Sequence, residues 1–266
     1  MNERLAFACG LAVLVASGTA AAKETKADDH FLPEWMSVGV GFVGQVGGNF
    51  FDKPDDQSVQ GVTVESDYPG FAGLTRGFGP TLDVRFLGFV GIEMDILFTR
   101  DVGEADMEFT RTDASGTQKF DYTIEIGHDA VHLPLLLKGS IPGEYVQPIL
   151  FLGPEFVFPS DPHFAVLESN VPGGGLATSV GGPNYSATTD NYTMFTFGFG
   201  LEIMLPIPSV DIRIPFSLRG SYNPGVSGER DERGDHVVNG TDLQSETFQT
   251  NWKFQAVANF GAAWHF

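Results

Sequence analysis

Ten charged side chains sit where their sequence neighbours are apolar: Asp83, Arg85, Glu93, Asp95, Lys138, Glu155, Glu202, Asp211, Arg213 and Arg219. Three couples, Asp83 with Arg85, Glu93 with Asp95 and Asp211 with Arg213, are spaced by two. In an extended chain that spacing puts both members on one face, with Leu82, Val84 and Phe86, or Ile92, Met94 and Ile96, on the other. Six acids facing four bases can do one of two things. They can pair and hydrogen-bond one another into a static filling, or they can line a charged conduit or a ligand cavity.

Other chemistry finds less support. Gly39-Val-Gly-Phe-Val-Gly44 matches the G-x-G-x-x-G string, but nothing suggests a helix after it or an acidic residue ending the next strand. His128-Asp129, with His132, offers an imidazole and a carboxylate but no clear nucleophile, so no enzymatic activity is expected. The acidic stretches at Asp55-Asp56 and Glu229 to Asp235 lack EF-hand spacing and read as a solvated anionic surface. No metal site and no cofactor is expected. Arg233-Gly-Asp235 is short enough to arise by chance. The net charge of -19 argues against nucleic-acid binding.

The elements that must position these charges are strands. Period-two alternation marks eight: Ser37 to Phe50, Phe78 to Leu87, Val90 to Arg100, about Phe120 to Lys138, Tyr145 to Phe158, Tyr192 to Leu205, Val210 to Tyr222, and the last residues of the chain. In the fourth, apolar residues hold even positions from Phe120 to Ile126 and odd ones from Val131 to Leu137. That change of phase predicts a β-bulge near Gly127-His128-Asp129. Its first half is expected to pair with Met107 to Thr110 in a projecting hairpin closed by Asp113-Ala-Ser-Gly116. Connections after strands two, four and six are short (Gly88, Ile141 to Glu144, Pro206 to Ser209), and the others are long. This is the asymmetry of an outer-membrane barrel, with short periplasmic turns and long extracellular loops.

The two ends of the chain agree. Phe254 to Phe266 carries Phe260, Trp264 and Phe266 on one apolar face, suited to lipid rather than to a core. It resembles the terminal signal by which bacterial outer-membrane proteins are recognised for insertion. Met1 to Ala22 reads as a signal peptide: Arg4, an apolar run, then Thr19-Ala-Ala-Ala22. Cys9 is the only cysteine and lies within it, too near the start to follow a complete apolar region as a lipidation site would. Residues 23–36 are expected to form a periplasmic N-terminal segment and residues 37–266 the barrel.

Val131-His-Leu-Pro-Leu-Leu-Leu-Lys138, Gln147-Pro-Ile-Leu-Phe-Leu-Gly-Pro154, Phe197-Gly-Phe-Gly-Leu-Glu202 and the terminal strand carry a further resemblance. They are similar to the small porin-like outer-membrane β-barrel family, of which the eight-stranded OmpA/OmpX type is the architectural relative. The resemblance implies an all-β, eight-stranded antiparallel up-and-down transmembrane barrel and transfers no catalytic residue. Eight strands leave a bore just wide enough for side chains, which favours the static filling over the conduit. Glycines 39, 41, 198 and 200 are expected to make room for bulky inward neighbours. Outward belts should include Phe42, Phe86, Phe98, Phe158, Phe195, Tyr222, Trp252, Trp264 and Phe266. The expected partners are outer-membrane lipid, lipopolysaccharide and the insertion machinery, with an extracellular ligand of the loops left open and a monomer expected. The expected location is the outer membrane of a diderm bacterium, with both termini periplasmic. The expected role is non-enzymatic: envelope integrity or surface interaction, with passive transport of small or apolar solutes as the alternative.

Overall fold

The structure is a computed structural model that describes residues 32–33, 35–51, 57–59, 62–67, 70–113, 116–170, 184–207, 210–225, 233–238 and 241–266. The signal peptide, most of the segment 23–36, and Asp55-Asp56 lie outside them. So do Glu229 and the side chains of Arg233-Gly-Asp235.

Alternating apolar and polar residues make nearly all of the described chain strand. In chain order these are β1 (Met36–Phe51), β2 (Gln57–Val59), β3 (Val62–Asp67), β4 (Phe71–Phe86), β5 (Val90–Asp95), β6 (Leu97–Asp113) and β7 (Gly116–Ser140). There follow β8 (Val146–Ser169), β9 (Asn184–Thr188), β10 (Tyr192–Ile207), β11 (Val210–Tyr222), β12 (Arg233–Val238), β13 (Thr241–Gln249) and β14 (Phe254–His265). The ladder runs β1-β14-β11-β10-β8-β7-β5-β4 and closes where β4 pairs with β1. All its pairings are antiparallel.

β5 and β6 share one place in this ring. Both pair with β4 and with β7, and their registers are continuous across Ile96. The interruption has a chemical cause: Pro80 stands across from Ile96 on β4 and Pro134 across from Asp95 on β7, and proline brings no N–H to a ladder. One bond survives there, from the Ile96 N–H to the Pro80 carbonyl at 3.0 Å. The result is an eight-stranded up-and-down barrel.

The two ends of the barrel differ. At one end β4 turns into β5 through Leu87 and Gly88, both left-handed (φ 53° and 74°), a conformation glycine adopts without strain. Gly39 pairs with His265, so β1 begins where β14 ends, also at this short-turn end. At the other end the strands continue far past the expected limits. β6 and β7 form a hairpin that runs unbroken to Asp113 and Gly116, and Met107 to Thr110 pair with Tyr122 to Lys119 as expected. β3 flanks this hairpin through β6, and β12, β13 and β9 form a separate small sheet. The sequence reading left these short strands within loops.

The bulge needs correction. The β7–β8 register does shift between Gly127 and Asp129. Gly127 pairs with His163 and Asp129 with Ser160, however, so two steps on β7 match three on β8. The extra residue belongs to β8, where Asp161 is left-handed (φ 51°). β7 keeps its even residues buried from Tyr122 to Lys138 without changing phase. What changes is the chemistry. Beyond the bulge Tyr122, Ile124 and Ile126 point inward while Asp121 and Glu125 point outward. Below it His132 and Lys138 point inward while Leu135 and Leu137 are exposed outside. The apolar face moves from inside to outside on an uninterrupted strand.

Candidate functional site in the barrel bore

The inward rows of β4, β5, β7, β10 and β11 bring Asp83, Arg85, Glu93, Asp95, Lys138, Glu202 and Arg219 into one buried lattice. Lys138 Nζ lies 2.7 Å from Asp83 Oδ2, 2.7 Å from Glu93 Oε2 and 2.5 Å from Glu202 Oε1. The Arg85 guanidinium donates to Asp83 Oδ2 at 2.7 Å, to Gln147 Oε1 at 3.1 Å, and to both oxygens of Glu202. Arg219 donates to Asp95 Oδ2 at 2.8 Å and to Glu93, with its guanidinium 4.7 Å above the Phe151 ring.

The ring order makes two of these contacts decisive. Between β4 and β10 lie three ring positions in either direction, and the same holds for β5 and β11. Arg85–Glu202 and Arg219–Glu93 therefore cross full diameters of the bore. The carboxylates of Asp83, Glu93 and Glu202 converge within 4.8 Å, close enough to ligate a cation. The Lys138 ammonium already fills that position.

Asp211 and Arg213 lie at the short-turn rim instead. They pair with each other at 2.7 Å, and Arg213 comes to 3.9 Å from Glu202. His265, the neighbour of Trp264 on the opposite face of β14, points inward, with its Nε2 3.9 Å from Asp83. A Cβ on Gly39 would strike the His265 ring at 2.4 Å, so glycine there makes room for a side chain. At Gly41 and Gly200 the near neighbour is adjacent backbone, not a bulky side chain.

Glu155 joins a second network nearer the loop end, with side chains the sequence reading did not assign to the bore. His132 stands between two acids: Nδ1 is 2.5 Å from Glu155 Oε1 and Nε2 is 3.1 Å from Asp101 Oδ2. The other Glu155 oxygen accepts from Thr196 at 2.6 Å and Ser221 at 2.9 Å, and Asp101 accepts from Thr75. Asp101 was legible in principle, since it continues the odd inward parity of Glu93 and Asp95 past Leu97. His128 and His132, four apart on a strand, likewise share the face of Lys138.

Asp101, His128 and Thr250 form a carboxylate–imidazole–hydroxyl series, with His128 Nδ1 2.9 Å from Thr250 Oγ1 and Nε2 3.5 Å from Asp101 Oδ2. All three are fully buried, and Thr250 donates back to the Thr188 carbonyl at 3.3 Å. This buried arrangement ties Thr188, the last residue of β9, to the barrel. Asp129, paired with His128 in the sequence reading, points to the opposite, outer face.

Above this network Trp252 covers the bore. The sequence reading placed it in the outer belt, but its exposure is 0%. β14 begins only at Phe254, so strand alternation does not extend back to Trp252, and the chain bends inward there. The ring fits because Gly103 has no side chain: a Cβ would lie 2.6 Å from it. Phe42, Phe158, Phe195, Tyr222, Phe260, Trp264 and Phe266 are exposed on the outer surface, and Phe86 and Phe98 are half-buried there.

No family model matches the chain, and no curated protein matches it. Among solved structures the chain is similar to the outer membrane protein OprG from Pseudomonas aeruginosa, at 13% identity and TM-score 0.40, covering 86% of this chain and 95% of that one. It is also similar to the outer membrane protease OmpT from Escherichia coli, at 6% identity and TM-score 0.25, covering 88% and 96%. The translocator domain of the autotransporter NalP from Neisseria meningitidis is a third, at 11% identity and TM-score 0.26, covering 99% of each chain. The barrel itself is established by the closed ladder of this chain.

Proposed function

We propose that the chain is an integral outer-membrane barrel whose bore is sealed by its own side chains, and that it serves as a rigid anchor for the structure built on its loop end. The observation that carries this reading is the pair of ion pairs, Arg85–Glu202 and Arg219–Glu93, that crosses the bore along two diameters. A charged side chain fixed at both ends of a diameter leaves no path for a hydrated solute. The exposed outer belt supports the membrane setting, because such an expanse of Phe, Leu and Ile is stable in hydrocarbon and a liability in water. Phe260, Trp264 and Phe266 are presented outward, where an insertion machine could read them. In this reading the short-turn end faces the periplasm, the role is non-enzymatic, and the barrel works as a monomer.

The test is single-channel conductance of the refolded protein in a planar bilayer. The wild type should be silent, while a double Arg85→Ala, Arg219→Ala variant should open steps. Stable steps from the wild type that change in Glu202→Gln would replace this reading with passive transport.

A further inference from the structure

Arg76 of β4 and Arg100 of β6 stand directly opposite each other in the ladder, and both point outward and are exposed. Facing residues on one sheet surface have Cβ atoms about 5 Å apart, and like charges placed so repel. Among the described residues neither guanidinium has a hydrogen-bond or ion-pair partner. Asp129 faces Arg100 from β7 and is exposed, yet makes no ion pair with it. Two facing arginines with one carboxylate neighbour, which pairs with neither, leave excess positive charge and room for an anion.

Their height says which anion. On the short-turn side the next outward residues are Phe78 and Phe98, which also face each other, and Phe78 is 70% exposed. On the loop side Leu74 and Val102 come next, and then β6 turns acidic outside, with Glu104, Asp106 and Glu108. The arginines thus sit one step inside the loop-end edge of the apolar belt, close to where an aromatic girdle meets the polar layer of a bilayer. That layer holds lipid phosphates, and the planar guanidinium fork matches phosphate oxygens two at a time. Long apolar stems let both heads reach it. The surrounding loop end is acidic, so long-range attraction would not gather anions here. The local pair must do so.

We propose that Arg76 and Arg100 together clamp one phosphate group of a lipid headgroup at the loop-end border of the belt. This rests on the reading of the chain as a membrane barrel. The test uses the full-length protein in phosphatidylcholine nanodiscs doped with diphosphorylated lipid A or with its dephosphorylated form. Lipid retained after extraction into a non-ionic detergent is counted by native mass spectrometry. Heat-shifted gel mobility of the same samples reports folding.

The wild type should retain the phosphorylated lipid, and Arg76→Gln, Arg100→Gln should weaken that retention about thirtyfold, to the level of the dephosphorylated lipid. Asp129→Asn should strengthen it. In phosphate-free detergent the double variant should be at least as stable as the wild type, because a like-charge opposition has gone. A merely structural role for the arginines predicts the reverse. Equal retention by wild type and double variant overturns the proposal, as does full competition by inorganic phosphate, which would mark a site for free anions. A protein that never acquires heat-shifted mobility in bilayers overturns the membrane reading itself.

Discussion

The same strands pack in opposite senses at the two ends of this molecule. In the short-turn half, β7 turns His132 and Lys138 inward and Leu135 and Leu137 outward. Beyond Asp129 it turns Tyr122, Ile124 and Ile126 inward and Asp121 and Glu125 outward. β6 does likewise, from inward Thr99 and Asp101 to inward Ala105 and Met107. The β6 and β7 ladder is continuous through both halves, and under the proposed membrane reading the difference comes from the surroundings. Hydrocarbon outside favours an apolar exterior and confines polar groups to the bore, while water outside reverses both preferences. A strand can therefore report the solvent around it through which face is greasy.

The contrast can be broken most severely from inside the lattice. Lys138→Met removes the ammonium shared by three carboxylates, leaves only Arg85 and Arg219 to compensate them, and should cost about 3–5 kcal/mol, read from urea unfolding in detergent. Millimolar Ca²⁺ should recover part of that loss in the variant and leave the wild type unchanged, since Asp83, Glu93 and Glu202 then present an empty cation position. No rescue would show that the acids spread apart once the ammonium is gone.

Outside the barrel, Leu135→Arg places a charge in the belt and should cost about 2–4 kcal/mol in vesicles. At the loop end Ile126→Ala empties a fully buried apolar position and should cost about 2–4 kcal/mol. That loss should appear as faster proteolysis of the hairpin while the heat-shifted mobility of the barrel persists. Gly103→Val should displace Trp252 and cost about 1–3 kcal/mol. The red shift of its fluorescence is measurable with Trp35 and Trp264 replaced by Phe. Glu104→Arg, outward and beyond the belt, should change stability by no more than ~0.5 kcal/mol, because Glu125 faces it and both meet water. A penalty there like that of Leu135→Arg would move the border of the belt past Glu104.

The strands and the ring were legible because alternation is written locally: Val210 to Tyr222 came out to the residue. The hairpin at Met107 to Thr110 was legible for the same reason. The bulge was not, because a reversal of apolar phase has two physical causes. A strand can shift by one residue, or its surroundings can change, and one strand read alone does not distinguish them. Asp161 of β8 carried the extra residue with no apolar pattern to betray it. Trp252 was misplaced because parity was extended past the point where the strand begins. The inward acids and bases could be gathered by parity, but their partners could not. Which acid meets Arg85 depends on ring order and on height along tilted strands, neither of which is a local property.

Arg85 reaches a partner 117 residues away, and Arg219 one 126 residues away. Half of each ion pair is thus synthesised long before the other half exists. A sheet made only of the early strands would carry Arg85 without Glu202 and Glu93 without Arg219 into any bilayer that accepted it, against the large penalty for under-compensated charges in lipid. The late strands β10 and β11 supply the neutralising wall. Under the proposed membrane reading, entry into hydrocarbon and closure of the ring are then coupled, and the bore acts as a checkpoint that favours the finished cylinder.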